Sequence, residues 1–311
     1  MKIRRIAFAL ALIPALAASG TAAFGQDEEA AEPPWRAARV AADLSRPDPD
    51  ADYWQEVAAR PVGLVAQPMV RPRPAETLTS EVDVRAVHDG KWLALRLAWK
   101  DPDKSEAGRL GEFSDAAAVQ FPLQSGESPP PIFMGVRGMP VHIFHWRAQY
   151  QRDREVGKPT MRDLYPNLSI DMYPLEYADP GRLDPPLAAR EQYSPGLAVG
   201  NPQSFPKSGV DEIFAEGFST SSVQDSAASG RATWRDGEWR LVIARPLAIE
   251  GGSTLAPGGS TFVAFAVWQG GEGEVGSRKS VTMVWTALEL EGDGASGAAA
   301  GEAVAAAEVT P

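Results

Sequence analysis

Cysteine is missing from all 311 residues. That removes disulfide staples, thiolate metal sites and any Cys-x-x-Cys-His anchor for a covalently attached haem. Histidine is almost as rare, with His88, His142 and His145 the only three. In a strand, positions 142 and 145 point to opposite faces and cannot share a metal without a bulge. His88, beside Asp89 and Gly90, reads as a turn residue. No Gly-rich phosphate loop opens a helix, and no Gly-x-Ser-x-Gly elbow is present, so nothing marks a nucleotide-binding enzyme or a hydrolase. Beyond the N-terminus no apolar run is long enough for a bilayer span. A formal net charge of -11 argues against nucleic acid and anionic membrane surfaces. It suits simple solubility or a basic redox partner.

The chain's ends differ from its middle. Lys2, Arg4 and Arg5 precede the apolar run Ile6 to Ala18, and small residues follow to Gly25. Residues 1–25 therefore read as an export signal, of the Sec type in preference to a twin-arginine one. The mature chain is expected in the periplasm of a Gram-negative bacterium. Residues 26–60 are acidic and Ala/Pro-rich, and read as a leader with a short anchoring turn around Tyr53 and Trp54. Residues 291–311 are Gly/Ala/Glu low complexity and read as a disordered tail. The folded unit is expected over 61–290, long enough to bury a core without staples.

Within it the dominant period is two. Val82, Val84 and Ala86 alternate with Glu81, Asp83 and Arg85, Asp89 and Gly90 follow, and then come Leu93, Leu95, Leu97 and Trp99. Alternation on both sides of Asp-Gly is a hairpin signal. It recurs around Asp236 and Gly237, with Ala232 and Trp234 before the turn and Trp239, Leu241 and Ile243 after it. Further strands are expected over 115–121, 141–146, 261–268 and 280–290. Long amphipathic helices are missing. The fold class is all-β, an antiparallel β-sandwich with long loop excursions and little helix. The largest excursion, 150–206, is crowded with Pro, Tyr, Arg and Asp, and carries one short helix near Lys158 to Leu164.

Two residues stand out by chemistry. Met134 lies in a Gly/Pro-framed turn ahead of the strand at Val141. Its thioether either binds a soft or borderline metal or fills core. Lys279 opens the run at Ser280 in a chain whose cations are mostly arginine. It either snorkels to water or, once deprotonated, ligates a metal. The acidic pairs Asp211 with Glu212 and Asp101 with Asp103 offer calcium ligands or acid/base groups, against a reading as solvated loop charges.

Several segments, taken in order, carry a resemblance. They are Pro131-Ile132-Phe133-Met134-Gly135, Pro140-Val141-His142-Ile143-Phe144-His145-Trp146-Arg147-Ala148, and Ala215-Glu216-Gly217-Phe218-Ser219-Thr220. Trp234-Arg235-Asp236-Gly237-Glu238-Trp239-Arg240, Arg245-Pro246-Leu247 and Arg278-Lys279-Ser280-Val281 with Trp285 continue the set. Over roughly residues 61–290 the chain resembles the haem b-binding gamma subunits of periplasmic molybdoenzymes of the dimethyl sulfoxide reductase class. Ethylbenzene dehydrogenase, dimethyl sulfide dehydrogenase, selenate reductase and chlorate reductase carry such subunits. The resemblance implies a β-sandwich holding one non-covalent haem b through axial Met134 and Lys279. His142, His145 and Met139 stand as rival ligands. Phe133, Phe144, Trp146 and Trp285 would wall the macrocycle, with sandwich core as their other role. Arg137 or Arg147 would pair the propionates. The implied role is not enzymatic but electron transfer, between an iron–sulfur subunit beside a molybdopterin catalytic subunit and a soluble periplasmic cytochrome.

Two other readings fit the composition. One is a haem-free, carbohydrate-binding-like sandwich that uses some of the 9 Trp as binding platforms. The other is a scaffolding subunit without cofactor.

Overall fold

Alternation carries through into the strands that form. A computed structural model describes residues 35–292 apart from 107–108, 125–127, 158, 160, 168–198, 202–208 and 218. The expected export signal, nearly all of the expected tail and most of the 150–206 excursion lie outside the described residues. The strands are β1 (Trp35–Arg39), β2 (Arg60–Gly63), β3 (Val65–Ala66), β4 (Glu81–His88), β5 (Trp92–Lys100), β6 (Ala116–Pro122) and β7 (Val141–Arg147). After them come β8 (Val210–Ala215), β9 (Ser221–Gln224), β10 (Ser229–Arg235), β11 (Glu238–Pro246), β12 (Ser260–Trp268), β13 (Ser280–Val281) and β14 (Thr286–Leu290). Helix is confined to α1 (Ala148–Glu155), α2 (Met161–Leu164) and one 3-10 turn, Asp52–Gln55. Among the described residues no helix is long and apolar enough to cross a membrane.

The ladder runs β10-β11-β5-β4-β1-β14-β12-β6-β7-β8-β9, with β2 on β4, β13 on β12 and β3 on β13. It doubles over at β1. Trp35, Arg36 and Ala37 pair with Leu288, Glu289 and Leu290, while Ala38 and Arg39 pair with Val87 and His88. One core then lies between two layers. Val82, Val84, Leu95, Leu97 and Trp99 of β4 and β5 share it with Val119, Phe121, Phe144, Trp146, Phe265 and Val267 of β6, β7 and β12. Trp99, Trp146 and Trp239 meet across it, the closest ring centroids 5.2 Å apart. This is the expected all-β sandwich, with one difference: β1 runs parallel to both its neighbours.

Both Asp-Gly hairpins form. Asp236 and Gly237 take φ of 53° and 72°, the paired left-handed values of a type I′ turn, which L-residues other than Asp and Asn seldom adopt. At the other, the Asp89 carboxylate accepts from the Lys91 and Trp92 amides at 2.7 and 2.6 Å. His88 is a correction: it ends β4 fully buried and is not an exposed turn residue.

Two boundaries are corrected. The stretch read as a leader, 26–60, supplies β1, the start of β2 and a satellite core of Leu44 and Trp54, both buried. The anchoring turn at Tyr53 and Trp54 is the 3-10 turn. The run read as one strand over 280–290 is broken. Both pieces pair with β12, but Thr282, Met283, Val284 and Trp285 face only Ala264 and Phe265 between the paired ends. The surplus makes a bulge, closed by Thr282 N–H donating to the Phe265 carbonyl at 3.0 Å.

Of the acidic pairs, Asp211 meets Arg147 at 3.4 Å and Glu212 meets the His142 ring at 2.8 Å. Among the described residues no three His, Asp or Glu side chains converge as a metal site. Asp101 is buried, and burial first, then repulsion from Asp115, pushes its carboxyl up to about 7. The folded state therefore binds a proton there that the unfolded chain, near 3.8, has already released, and this stability is lost as pH rises toward 7. Burial lowers all three histidines, which acts in the other direction, costing stability as pH falls below 6.5. Asp101→Asn is expected to stabilise the fold at pH 8 by on the order of 2 kcal/mol, the gain fading toward pH 4. Urea titrations at the two pH values check this; an equal gain at both contradicts it.

Candidate functional site

The outer face of the β12-β6-β7-β8 layer is hollow because its central residues are small. Strands alternate faces, so the bulky Val119, Phe121, Phe265 and Val267 turn into the core and leave Ala118, Ala264 and Ala266 outward. Those methyl groups form a low floor. Ile143 and His145 of β7 and Ile213 of β8 rise at one side of it, and Lys279 and Val281 at the other. The half-open cavity measures about 870 Å³, within the range of cofactor sites.

Its cover is a strap over residues 130–139, tied at three places. The Trp285 indole donates to the Pro130 carbonyl at 2.7 Å, the Gln120 amide side chain to Phe133 at 2.9 Å, and the Gly217 N–H to Met134 at 2.7 Å. Gly135, at φ 71°, packs so closely that a Cβ would stand 2.4 Å from the Ala215 carbonyl oxygen. Only glycine fits there, and the contact fixes Met134 against the β8 edge. From the opposite edge comes Lys279, whose carbonyl accepts the Gln67 N–H at 2.9 Å. The buried Gln67 side chain latches its own loop, donating to the carbonyls of Val70 and Ser277 at 2.8 Å each. Residues 67–70 thus make a further wall.

Met134 and Lys279, far apart in sequence, line this one cavity. The Lys279 amine sits 4.6 Å from the centroid of the Trp268 ring. No carboxylate lies within ion-pair distance of it among the described residues. Burial alone pulls its ammonium down to about 8. The His145 ring also lies on Trp268, centroids 4.7 Å apart, and its Nε2 is buried with no hydrogen-bond partner. Burial, reinforced by the charges of Arg147 and Lys279, holds this imidazole neutral, its pKa well below the ordinary value.

Phe133 and Arg137 also line the cavity, both on the strap. Three of the expected walls lie elsewhere. Trp146 and Phe144 occupy the even positions of β7 and face the sandwich core, fully buried; sequence closeness to Met134 gave the wrong face. Trp285 packs beside the cavity and spends its indole N–H on Pro130. Arg147 is engaged by the Tyr150 hydroxyl at 2.7 Å and by Asp211. His142 is on the core face between Ser253 and Glu212, and Met139 lies on the surface. The residues not anticipated are Gln67, Met69, Val70, Trp268, Met283 and the alanine floor. Only the alanines carried a signal: small residues at alternate positions of otherwise bulky strands.

A flat apolar floor, a thioether, a desolvated amine and an imidazole nitrogen without a partner suit a planar, largely apolar group with a metal at its centre. The donor set is one that binds iron, and with no cysteine the group would be held without covalent bonds. The site therefore fits haem b.

Comparison with known proteins identifies the family. A family model described as ethylbenzene dehydrogenase matches residues 51–165 and 204–280. The chain is 25% identical over 238 residues to a Haloferax mediterranei protein whose name proposes a respiratory nitrate reductase heme subunit, covering 75% of this chain and 65% of that one. It is 26% identical over 216 residues to the chlorate reductase subunit gamma of Ideonella dechloratans, covering 68% and 66%. With the dimethylsulfide dehydrogenase subunit gamma of Rhodovulum sulfidophilum it shares 24% over 255 residues, covering 80% and 77%. It thus spans just under two thirds of the length of the first two. Among solved structures, a family 9 carbohydrate-binding module from Caldicellulosiruptor kristjanssonii in complex with cellotriose overlaps 90% of this chain and 100% of its own. That overlap has 8% identity and a TM-score of 0.40, too loose to bear on function. The family model covers more than half of the residues, in order, and the chain belongs to the ethylbenzene dehydrogenase family.

Proposed function

We propose that this chain is a haem b electron-transfer subunit, exported to the periplasm, and that it relays electrons for a molybdoenzyme. Its partners on this reading are an iron–sulfur subunit, the molybdopterin subunit behind it, and a soluble periplasmic cytochrome. The observation that carries it is the meeting of Met134 and Lys279 in one cavity. Relatives named as gamma or heme subunits of reductases and a dehydrogenase support it.

Met134 would supply a thioether and Lys279 a neutral amine. Binding a metal requires that amine to lose its proton, and burial without a carboxylate has already met part of that cost. Haem bound here would supply one-electron exchange between ferric and ferrous iron. The chain's own task would be to hold Met134 and Lys279 as ligands for that iron. The strap and the 67–70 loop would cover part of a bound group, and a soft sulfur ligand would favour the ferrous state. Arg137, exposed on the strap with no ion-pair partner among the described residues, would pair with a carboxylate of the group.

The haem-free sugar-binding reading needs aromatic platforms at the surface, yet none of the 9 tryptophans is among the exposed large hydrophobic residues. Reconstitution separates the two. Purified full chain mixed with hemin is expected to turn red, with a sharp Soret band, a low-spin spectrum and a b-type pyridine haemochrome. Colourless protein would end this proposal.

A further inference from the structure

The three histidines have different surroundings, and only one is unexplained at the cavity. The His142 Nδ1 accepts the Ser253 N–H at 3.2 Å, and its Nε2 meets Glu212 at 2.8 Å, so both nitrogens are used inside the core. His88 is buried at the end of β4 and lines no part of the cavity. His145 does line it, and its buried Nε2 has neither a protein partner nor contact with solvent. Leaving such a nitrogen unpaired costs about 1–3 kcal/mol; the buried His88 carries unpaired ring nitrogens too, and what sets His145 apart is that it lines a cavity roomy enough for a ligand.

Its placement suggests the use. His145 pairs with Ala118 across β6 and β7, Ala118 with Ala266 across β6 and β12, and Ala116 with Trp268. The strand between them, β6, carries alanines opposite both rings, so the imidazole reaches across it to the indole. The ring lies 4.7 Å from Trp268, and the Lys279 amine lies 4.6 Å from the same ring. Two nitrogen bases thus share one aromatic platform. Each can give a metal a nitrogen lone pair, the imidazole as it stands and the amine once its proton is lost. They differ in reach. Lysine projects its amine on a flexible four-carbon stem, whereas the imidazole is held close to its strand.

We propose that His145 is a reserve ligand: a second nitrogen donor beside Lys279 that takes the iron when the amine is absent. This rests on the haem reading above. It explains the unpaired Nε2 without displacing Lys279, whose longer reach gives it first claim. It also gives the cofactor a second nitrogen hold, so that loss of the Lys279 amine does not release it.

The test uses the full chain reconstituted with hemin, as wild type, Lys279→Ala, His145→Ala and the double variant. Absorption, electron paramagnetic resonance and transfer of haem to apomyoglobin are the readouts, with circular dichroism to confirm folding. His145→Ala is expected to keep the wild-type low-spin spectrum. Lys279→Ala is expected to stay low-spin, with an imidazole-type resonance signature. The double variant is expected to become high-spin and to lose haem at least about tenfold faster than Lys279→Ala. A folded Lys279→Ala that is already high-spin, and no different when His145 is also removed, would overturn the proposal and leave His145 as a stacking residue. A low-spin spectrum lost in His145→Ala but kept unchanged in Lys279→Ala would make histidine the primary ligand, which also overturns it. Should Lys279→Ala fail to fold, Lys279→Gln replaces it in the same comparison. Wild type that takes up no haem would sink the underlying haem reading, a result distinct from each of these.

Discussion

Met134→Ala is expected to convert reconstituted protein from low-spin to high-spin and to weaken haem retention at least about tenfold, near 1.4 kcal/mol. The loss should fall on the cofactor and not on the fold. Met134 is only partly buried, on a strap fixed through backbone contacts at Pro130, Phe133 and Met134 itself, which survive truncation of the side chain. Met134→Leu separates chemistry from packing. Leucine keeps the volume and should cost under about 1.5 kcal/mol in stability, yet it has no lone pair to give. Both variants should therefore share the high-spin spectrum. A low-spin Met134→Leu protein would remove Met134 from the ligand set. Met139, the nearest other thioether in the sequence, lies on the surface and does not line the cavity, whereas Met69 and Met283 do line it and would be the next sulfurs to remove.

Ala266→Phe is the second large effect, and it acts by volume. The Ala266 methyl belongs to the cavity floor, at the crossing of the β6-β12 and β12-β13 ladders. A phenyl ring there would stand in the space a flat ligand needs, while its backbone pairing stays intact. Haem uptake is expected to fall by at least about tenfold with little change in circular dichroism, since the ring fills empty space and does not overpack the core. Ala264→Phe should behave likewise. Normal haem loading of both variants would place the cofactor elsewhere and take the cavity out of the account.

Much of the fold was legible because β-structure leaves local marks. Asp236 with Gly237 and Asp89 with Gly90 set their hairpins through short-range geometry, and period-two alternation marked β4, β5, β10 and β11. What stayed hidden was nonlocal. Trp35 to Arg39 look like leader because five residues in an Ala/Pro-rich setting give little alternation, and their partners lie at the other end of the chain. The break between β13 and β14 was hidden for the opposite reason: Thr282 to Trp285 read as good strand, and only the hydrogen bond back to Phe265 shows the bulge. The site divides in the same way. Met134 and Lys279 came from family resemblance, since no spacing rule joins a strap to a distant strand edge. Trp146 was misplaced although parity along β7 fixes its face: His145 turns to the cavity and Trp146 to the core. The alanine floor leaves a local mark, small residues at alternate positions of β6 and β12.

The seam at β1 has a kinetic consequence. Its partners Leu288, Glu289 and Leu290 lie some two hundred and fifty residues downstream. Contacts of such long range raise contact order and postpone the reward for closing a very large loop. Until the last strand is available, the two layers lack the bridge through β1 and are joined only through β2 and β3. Folding of this chain is therefore expected to finish at its seam, slowly, with an unpaired strand edge exposed in the interval.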